Sequence, residues 1–206
     1  GTGSETGLAG AAELIALPEC HHRSGQFAGE PVVVARSGEI GEVGFVLYTA
    51  SANRSALRAT LMGEGAVELD ASTFDLLRIE AGRPVFPADL DSETIPLEAG
   101  LEDRAISMTK GCYVGQEVFA RLNTYDKVQK RLMGMRWEGG HGREAGAKLA
   151  LDGKQVGVVT SAATSSSTGG GVGLGYVRLA HAEAGAVLSG ESEAFSVLLV
   201  EPAVTP

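Results

Sequence analysis

The pattern of apolar and polar positions divides the chain into two regions of different character. In residues 1–126, windows with a helical repeat of apolar positions alternate with short runs rich in β-branched residues. The pattern predicts helices over residues 8–17, 51–61, 72–81 and 115–122, and strands over residues 31–35, 43–48 and 104–108. Ser72 is the expected N-cap of the third helix, and Gly82 followed by Pro84 is its stop signal. This region is predicted to be α+β.

After Asp126 the apolar runs become short and β-like, and turn residues separate them. Strands are predicted over residues 130–137, 147–151, 155–161, 171–177 and 194–200. The Asp152-Gly153 pair between two such runs is a strong signal for a tight hairpin. Several short strands at this spacing predict a small antiparallel β-barrel or sandwich. We therefore expect a boundary near residue 127, with one domain over residues 1–126 and a second over residues 127–206.

Composition and charge exclude some classes of function. The chain has 206 residues, of which 44 % are hydrophobic and 21 % are charged, as in a soluble globular protein. The net charge is −9, and residues 1–126 alone carry 9 basic and 19 acidic side chains. Phosphate binding needs clustered cations, so a direct nucleic-acid ligand is not expected. Hydroxyls and glycines interrupt the long uncharged stretch at residues 155–177, so no membrane partner is expected either.

The two cysteines, Cys20 and Cys112, do not form a disulfide framework, and the simpler interpretation is a reducing, cytoplasmic setting. We find no signal peptide pattern at the N-terminus. The Cys20-His21-His22 triplet does not have the spacing of a zinc site. Adjacent residues also point in different directions, so they rarely share one metal. No metal is therefore predicted.

The segment from Lys110 to Glu117 is the first candidate for chemistry. Two glycines flank Cys112 closely, and the predicted helix begins just after it. A thiol near a helix N-terminus and a lysine has more thiolate character, which suits a reactive or metal-binding cysteine. The alternative is a small buried cysteine in a structural loop.

Two charged residues are candidates for ligand binding. Glu42 lies between Gly41 and Gly44, where its carboxylate could accept paired N–H donors from a heteroaromatic ring. The alternative is a tight turn with a solvated glutamate. Arg78 could present a two-pronged guanidinium to a carboxylate ligand, or it could form an ordinary helical pair with Asp75.

Several segments together resemble the folate-binding YgfZ family, which is related to the glycine-cleavage T-protein (aminomethyltransferase). The string from Lys110 through Cys112 and Tyr113 to Gly115-Gln116-Glu117 resembles the YgfZ signature. Residues 78–84 and 95–101, and the turn at residues 41–45, resemble T-protein segments. Residues 157–161 and 173–177 resemble the barrel domain of the same families.

The resemblance implies a T-protein-like folate-binding fold followed by a C-terminal barrel, with tetrahydrofolate as cofactor. Glu42 would hold the pterin ring, Arg78 would lie in the folate pocket, and Cys112, supported by Lys110 and Tyr113, would be the functional thiol. The implied function is a folate-dependent accessory role for iron–sulfur enzymes, including those that modify tRNA. These families have a further N-terminal segment, so the chain is expected to be incomplete there.

Two other functions stay open at this point. A folate-dependent aminomethyltransferase fits the Glu42 and Arg78 segments equally well, although T-proteins resemble the Cys112 region without that cysteine. A non-catalytic interaction module is the third possibility. The resemblance names no client enzyme and does not say whether Cys112 acts as a nucleophile, a redox thiol or a metal ligand.

Overall fold

A computed structural model describes residues 11–107, 110–113, 115–117, 128–139, 144–165, 169–190 and 196–200. The chain divides into two compact units, Gly1–Phe74 and Asp75–Pro206. The predicted domain boundary at residue 127 lies outside the described residues and stays a prediction. Within the described ranges, no helix is both long enough and apolar enough to cross a membrane.

Among the described residues, both helices and strands occur in the first part of the chain, and most elements after residue 130 are strands. The helices are α1 (Ala11–Ile15), α2 (Arg54–Gly63), α3 (Ala71–Glu80) and α4 (Glu102–Ala105), with 3-10 turns over Ser51–Asn53 and Leu179–His181. The strands are β1 (His22–Phe27), β2 (Glu30–Arg36), β3 (Phe45–Thr49), β4 (Lys130–Glu138), β5 (Lys148–Leu151), β6 (Lys154–Ser165), β7 (Gly170–Arg178), β8 (Val187–Gly190) and β9 (Ser196–Val200).

The first unit contains an antiparallel sheet with the strand order β1-β2-β3. Alternate residues of the central strand, Val32 and Val34, are buried, as expected for one face of a half-buried sheet. Arg36, at the end of this strand, donates from Nη1 to the carbonyl oxygens of Ile15 and Leu17, at 2.7 and 2.6 Å. These bonds satisfy carbonyl groups that the end of α1 leaves without a helical partner.

Two local predictions in this part of the chain are wrong. Helix α3 begins at Ala71 and is capped by Asp70, not Ser72, because Asp70 Oδ1 accepts hydrogen bonds from Thr73 N at 2.7 Å and Ser72 Oγ at 2.9 Å. The bond from the Thr73 backbone, as the largest cause, holds the pKa of Asp70 below its usual value. The expected strand over 104–108 is helical at its start, where α4 ends with Ala105, and residue 108 lies outside the described residues.

The second unit is built on a closed antiparallel barrel with the strand order β4-β7-β6-β5-β8-β9. The predicted α+β class and the C-terminal barrel are therefore confirmed. The hairpin between β5 and β6 is confirmed as well: Asp152 and Gly153 have φ values of 50° and 73°, and Leu151 pairs with Lys154. Two central residues with positive φ are typical of the type I′ turn that suits strand twist.

Large side chains from β4 fill the barrel interior because β7 faces them with glycines. The indole of Trp137 lies where a Cβ on Gly171 would be, and the Cε of Met135 lies 2.6 Å from the position of a Cβ on Gly175. The glycine-rich sequence of β7 is therefore a packing requirement of the core. The interior cluster contains Met133, Met135, Trp137, Leu149, Val156, Val159, Val177, Leu188, Val197 and Leu199.

The outer face of the barrel at β4 and β7 is also covered. Leu132, Leu174 and Tyr176 form a second buried cluster with Ile79 of α3, and Leu76 packs against it. The C-terminal half of α3 thus lies on the outside of the barrel. This packing brings the charged end of α3 next to β6.

Candidate functional site

Arg78 lies at the C-terminal end of α3 and is only 4 % exposed despite its charge. Its Nε donates to Asp75 Oδ1 at 2.6 Å, and its Nη2 donates to Ser161 Oγ at 2.8 Å. Its Nη1 donates to Asp89 Oδ2 at 2.5 Å and to the carbonyl oxygen of Arg83 at 3.2 Å. The expected helical pair with Asp75 therefore forms, and it is one part of a larger buried cluster.

Asp89 is the acceptor at the centre of this cluster, and its side chain is 0 % exposed. Oδ2 accepts from Arg78 Nη1 at 2.5 Å and from the backbone N–H of Val85 at 3.1 Å. Oδ1 accepts from Thr160 Oγ1 at 2.5 Å and from Ser161 Oγ at 2.7 Å. A carboxylate has about four acceptor positions, so all of its capacity is used. A buried charge is tolerated under these conditions.

Local backbone geometry places Asp89 opposite Arg78. Gly82, with φ of +67°, ends α3 in the left-handed conformation, and the N–H of Arg83 donates to the carbonyl oxygen of Arg78 at 2.8 Å. The chain then returns across the barrel, where Tyr176 Oη donates to the carbonyl oxygen of Asp89 at 3.0 Å. Burial raises the pKa of Tyr176 to about 12, so this donor keeps its proton at neutral pH.

Glu42 lies in the loop that joins β2 to β3. The loop is closed by a backbone hydrogen bond from Ser37 N to Gly44 O at 2.9 Å, and Gly44 cannot carry a side chain because a Cβ would be 2.6 Å from Ser37 O. Gly41, with φ of 81°, makes the preceding turn. The loop is therefore tight, and it leaves Glu42 exposed to solvent. An exposed carboxylate on a fixed backbone can serve as a hydrogen-bond acceptor for a ligand.

The structure brings Lys110 and Tyr113, the two residues predicted to support the thiol, into contact. Lys110 Nζ lies 4.8 Å from the centroid of the Tyr113 ring, a distance typical of a cation–π contact. Cys112 lies between them in sequence and is exposed. Gln116 and Glu117 are helical, and the rest of the predicted helix over residues 115–122 lies largely outside the described residues.

The candidate residues are distributed over both units. Glu42 belongs to Gly1–Phe74, whereas Arg78 and Cys112 belong to Asp75–Pro206. The second cysteine, Cys20, is exposed, with φ of 65°. In the described parts of the chain, no group of three or more His, Cys, Asp or Glu side chains is arranged to hold a metal ion.

Sequence reasoning did not find Asp89, Thr160 or Ser161. A weak signal was present in β6, because Thr160 and Ser161 are hydroxyl residues directly after an apolar run. Asp89 carries no local signal, since the side chains that bond to it are 11, 71 and 72 residues away in the chain. Only the fold places these groups together.

Two family models match the chain in sequence order. The GCVT N-terminal domain matches residues 8–110, and the glycine cleavage T-protein C-terminal barrel domain matches residues 130–194. The second match covers most of the observed barrel. The order of the two domains is the one that the resemblance implied.

Individual proteins are similar over most of this chain. A protein from Arabidopsis thaliana described as a chloroplastic transferase is 37 % identical over 81 % of this chain and 38 % of its own length. The aminomethyltransferase of Rubrobacter xylanophilus is 34 % identical over 81 % of this chain and 45 % of its own length. The chain thus spans less than half the length of these two curated relatives.

The crystal structure of glycine cleavage system aminomethyltransferase T from Bartonella henselae superposes with a TM-score of 0.78 at 27 % identity. The match covers 92 % of this chain and 53 % of that one. This similarity confirms the predicted T-protein-like fold. The narrower resemblance to YgfZ, which rests on the string around Cys112, stays a prediction.

Proposed function

Because the chain belongs to the glycine-cleavage T-protein family, we propose that it takes part in a folate-dependent, aminomethyltransferase-type reaction. The observation that carries this proposal is the tight loop that exposes Glu42. Glu42 and Arg78 are assigned to tetrahydrofolate, each through its own family motif. The aminomethyltransferase names of relatives such as that of Rubrobacter xylanophilus support this reading over an iron–sulfur role.

The carboxylate of Glu42 suits the hydrogen-bond donors of the cofactor. A pterin ring presents adjacent N–H donors along one edge, and an ionised carboxylate accepts two such bonds at once. The hydrogen bond that closes the loop limits the backbone freedom of Glu42 before the ligand arrives, which lowers the entropic cost of binding. Tetrahydrofolate, when bound, supplies the nitrogen atoms that accept a one-carbon unit.

Arg78 is buried, and in this it differs from an exposed arginine that binds a ligand directly. Its Nη1 edge faces Asp89, inside the protein, while its Nε points to Asp75, whose side chain is 49 % exposed. The single Nε hydrogen is already donated to Asp75 Oδ1 at 2.6 Å, so an approaching ligand group would meet the half-exposed Asp75 first. The guanidinium keeps its charge, because arginine does not lose its proton in proteins, and in the proposed site it would hold the carboxylate of Asp75 in place.

Titration of the purified protein with folinic acid, followed by calorimetry, tests the proposal. Glu42→Gln removes the charge of the acceptor and should weaken binding about tenfold or more, since hydrogen bonds to a charged group contribute about 1.5–3 kcal/mol. Glu39→Gln is the matched control, because Glu39 is an exposed carboxylate of the same loop. Equal affinities of the two variants would contradict the role of Glu42. Formation of methylene-tetrahydrofolate from an aminomethyl donor then tests the reaction itself.

The exposed thiol favours a second candidate function. Cys112 lies between Lys110 and Tyr113, which contact each other, and these three residues form the proposed catalytic group of a YgfZ-like accessory protein for iron–sulfur enzymes, including tRNA-modifying ones. Cys112→Ala should then abolish complementation of iron–sulfur enzyme activity. Cys20→Ala removes the other exposed thiol and should have no effect. Full complementation by Cys112→Ala would exclude this function.

A further inference from the structure

The three-stranded sheet of the first unit is apolar on both of its faces. Its central strand β2 contains an uninterrupted apolar run over residues 31–35, a pattern typical of strands that are covered on both sides. Val32 and Val34 point to one face and are buried. Val33 and Ala35 therefore point to the opposite face, and neither of them is buried.

Strand β3 adds two further apolar side chains to this second face. Val33 pairs with Tyr48 and Ala35 pairs with Val46, and directly paired residues lie on the same side of a sheet. Tyr48 is 60 % exposed, and the other three side chains are partly buried. We call these four residues the open face of the sheet. Apolar side chains grouped on an exposed surface are typical of an interaction site.

The first unit also buries few apolar side chains. Four are buried in residues 11–74, whereas 18 are buried in the described residues from 75 to 200. Both hydrophobic clusters found in the described residues belong to the second unit. Helix α2 buries only Leu57 and leaves Leu61 and Met62 exposed. A unit of this size with so small a core requires a further source of stability.

Disulfides, bound metals and association with further polypeptide are the usual sources of such stability. Both cysteines are free, and the described residues contain no group of side chains arranged to hold a metal ion. Association is therefore the source that the first unit favours. The structural comparison indicates the partner, because the aminomethyltransferase of Bartonella henselae is matched over only 53 % of its length. Nearly half of that chain has no counterpart here.

We propose that the open face is a docking surface for the half of the T-protein fold that these 206 residues do not contain. The docked polypeptide covers Val33, Val46 and Tyr48 with a second apolar layer, as the faces of sheets are covered in ordinary domains. It completes the core of which Val32 and Val34 form one side. This inference concerns an interaction surface and does not depend on folate binding.

Co-expression tests the docking surface. The probe is the part of the Rubrobacter xylanophilus aminomethyltransferase outside the 45 % that matches this chain. We expect it to co-purify with the tagged 206-residue chain. Tyr48→Glu should weaken the association at least about tenfold, because docking would bury an unpaired charge. Val187→Glu is the matched control and should associate like the wild type, because Val187 is 53 % exposed on β8 of the second unit.

Three results of this experiment would overturn the proposal. The first is a wild-type chain that does not associate with the probe. The second is equal affinity of the Tyr48→Glu and Val187→Glu variants for the probe. The third is a homodimer of the wild-type chain in light scattering that Tyr48→Glu dissociates, since a second copy would then cover the open face.

Hydrogen exchange of the 206-residue chain alone provides a second readout that needs no probe. The backbone amides of β2 should exchange at least about tenfold faster than those of β7, because the first unit opens more readily without its partner. Binding of the probe should slow the exchange of β2 and leave that of β7 unchanged. Exchange of β2 as slow as that of β7 in the chain alone would refute the inference, since the first unit would then need no partner.

Discussion

Removal of the Asp89 carboxylate is the most informative single perturbation of this protein. Asp89→Ala leaves the guanidinium of Arg78 buried without its internal counter-ion. It also removes the acceptor of the Val85 backbone N–H and of the Thr160 and Ser161 hydroxyls. The comparison variant is Asp75→Ala, which removes the other carboxylate that binds the same guanidinium. The two carboxylates differ in exposure, at 0 % and 49 %.

The difference in exposure between Asp89 and Asp75 determines how much stability each substitution should remove. Breaking a buried ion pair costs about 3–5 kcal/mol, because the remaining charge cannot recover its hydration. An ion pair with an exposed partner contributes about 0.2–1 kcal/mol, since water replaces the lost carboxylate. A typical domain has a free energy of unfolding of about 5–15 kcal/mol. Asp89→Ala should therefore remove a large part of the stability of the second unit, and Asp75→Ala a small part.

The single tryptophan provides the assay, because Trp137 lies in the barrel core. Urea unfolding followed by tryptophan fluorescence reports on the second unit. With a slope of about 2 kcal/mol per M, the midpoint of Asp89→Ala should fall by about 1.5–2.5 M, and that of Asp75→Ala by less than about 0.5 M. Asp89→Asn keeps the side-chain volume and should lie between them. Midpoints of Asp89→Ala and Asp75→Ala within about 0.5 M of each other would refute the reasoning.

Three further predictions concern packing, titration and capping. Gly171→Ala should destabilise the barrel by about 1–3 kcal/mol, because the new methyl group overlaps the indole of Trp137, and chemical unfolding measures the loss. The stability advantage of the wild type over Tyr176→Phe should be constant below about pH 10, the unfolded pKa. It should then be lost as pH rises toward the folded pKa of about 12, which unfolding midpoints across this range would show. Thermal unfolding should show a lower midpoint for Asp70→Ala than for Ser72→Ala, because only Asp70 caps the helix backbone.

The fold could be predicted from the sequence where a local pattern determines the structure. The Asp152-Gly153 turn and the apolar runs around it locate the β5–β6 hairpin, since few residues other than these adopt two successive positive φ angles. Strand β1 was missed because its residues are mostly exposed and polar, so it carries no alternating pattern. Strand β8 contains only two neighbouring apolar side chains, Val187 and Leu188, which show neither an alternation nor a run.

The candidate site could be predicted only in part, for a related reason. Arg78 and its neighbour Asp75 are three residues apart on one helix, and this pair was predictable from spacing. The partners that bury Arg78 come from a distant loop and a distant strand, 11 and 83 residues away. No local pattern predicts such contacts, because they depend on how α3 packs against the barrel.

The contact between α3 and β6 contains a buried ion pair instead of apolar side chains. This choice indicates that the cluster fixes the orientation of these elements. Well-packed apolar residues can stabilise such an interface as well as a buried ion pair, because the pair must offset the desolvation of two charges. An apolar cluster, however, is non-directional. Asp89 accepts four hydrogen bonds from α3, its own loop and β6, and each bond holds only within a narrow range of angles. The cluster therefore fixes one arrangement of loop, helix and strand around Arg78.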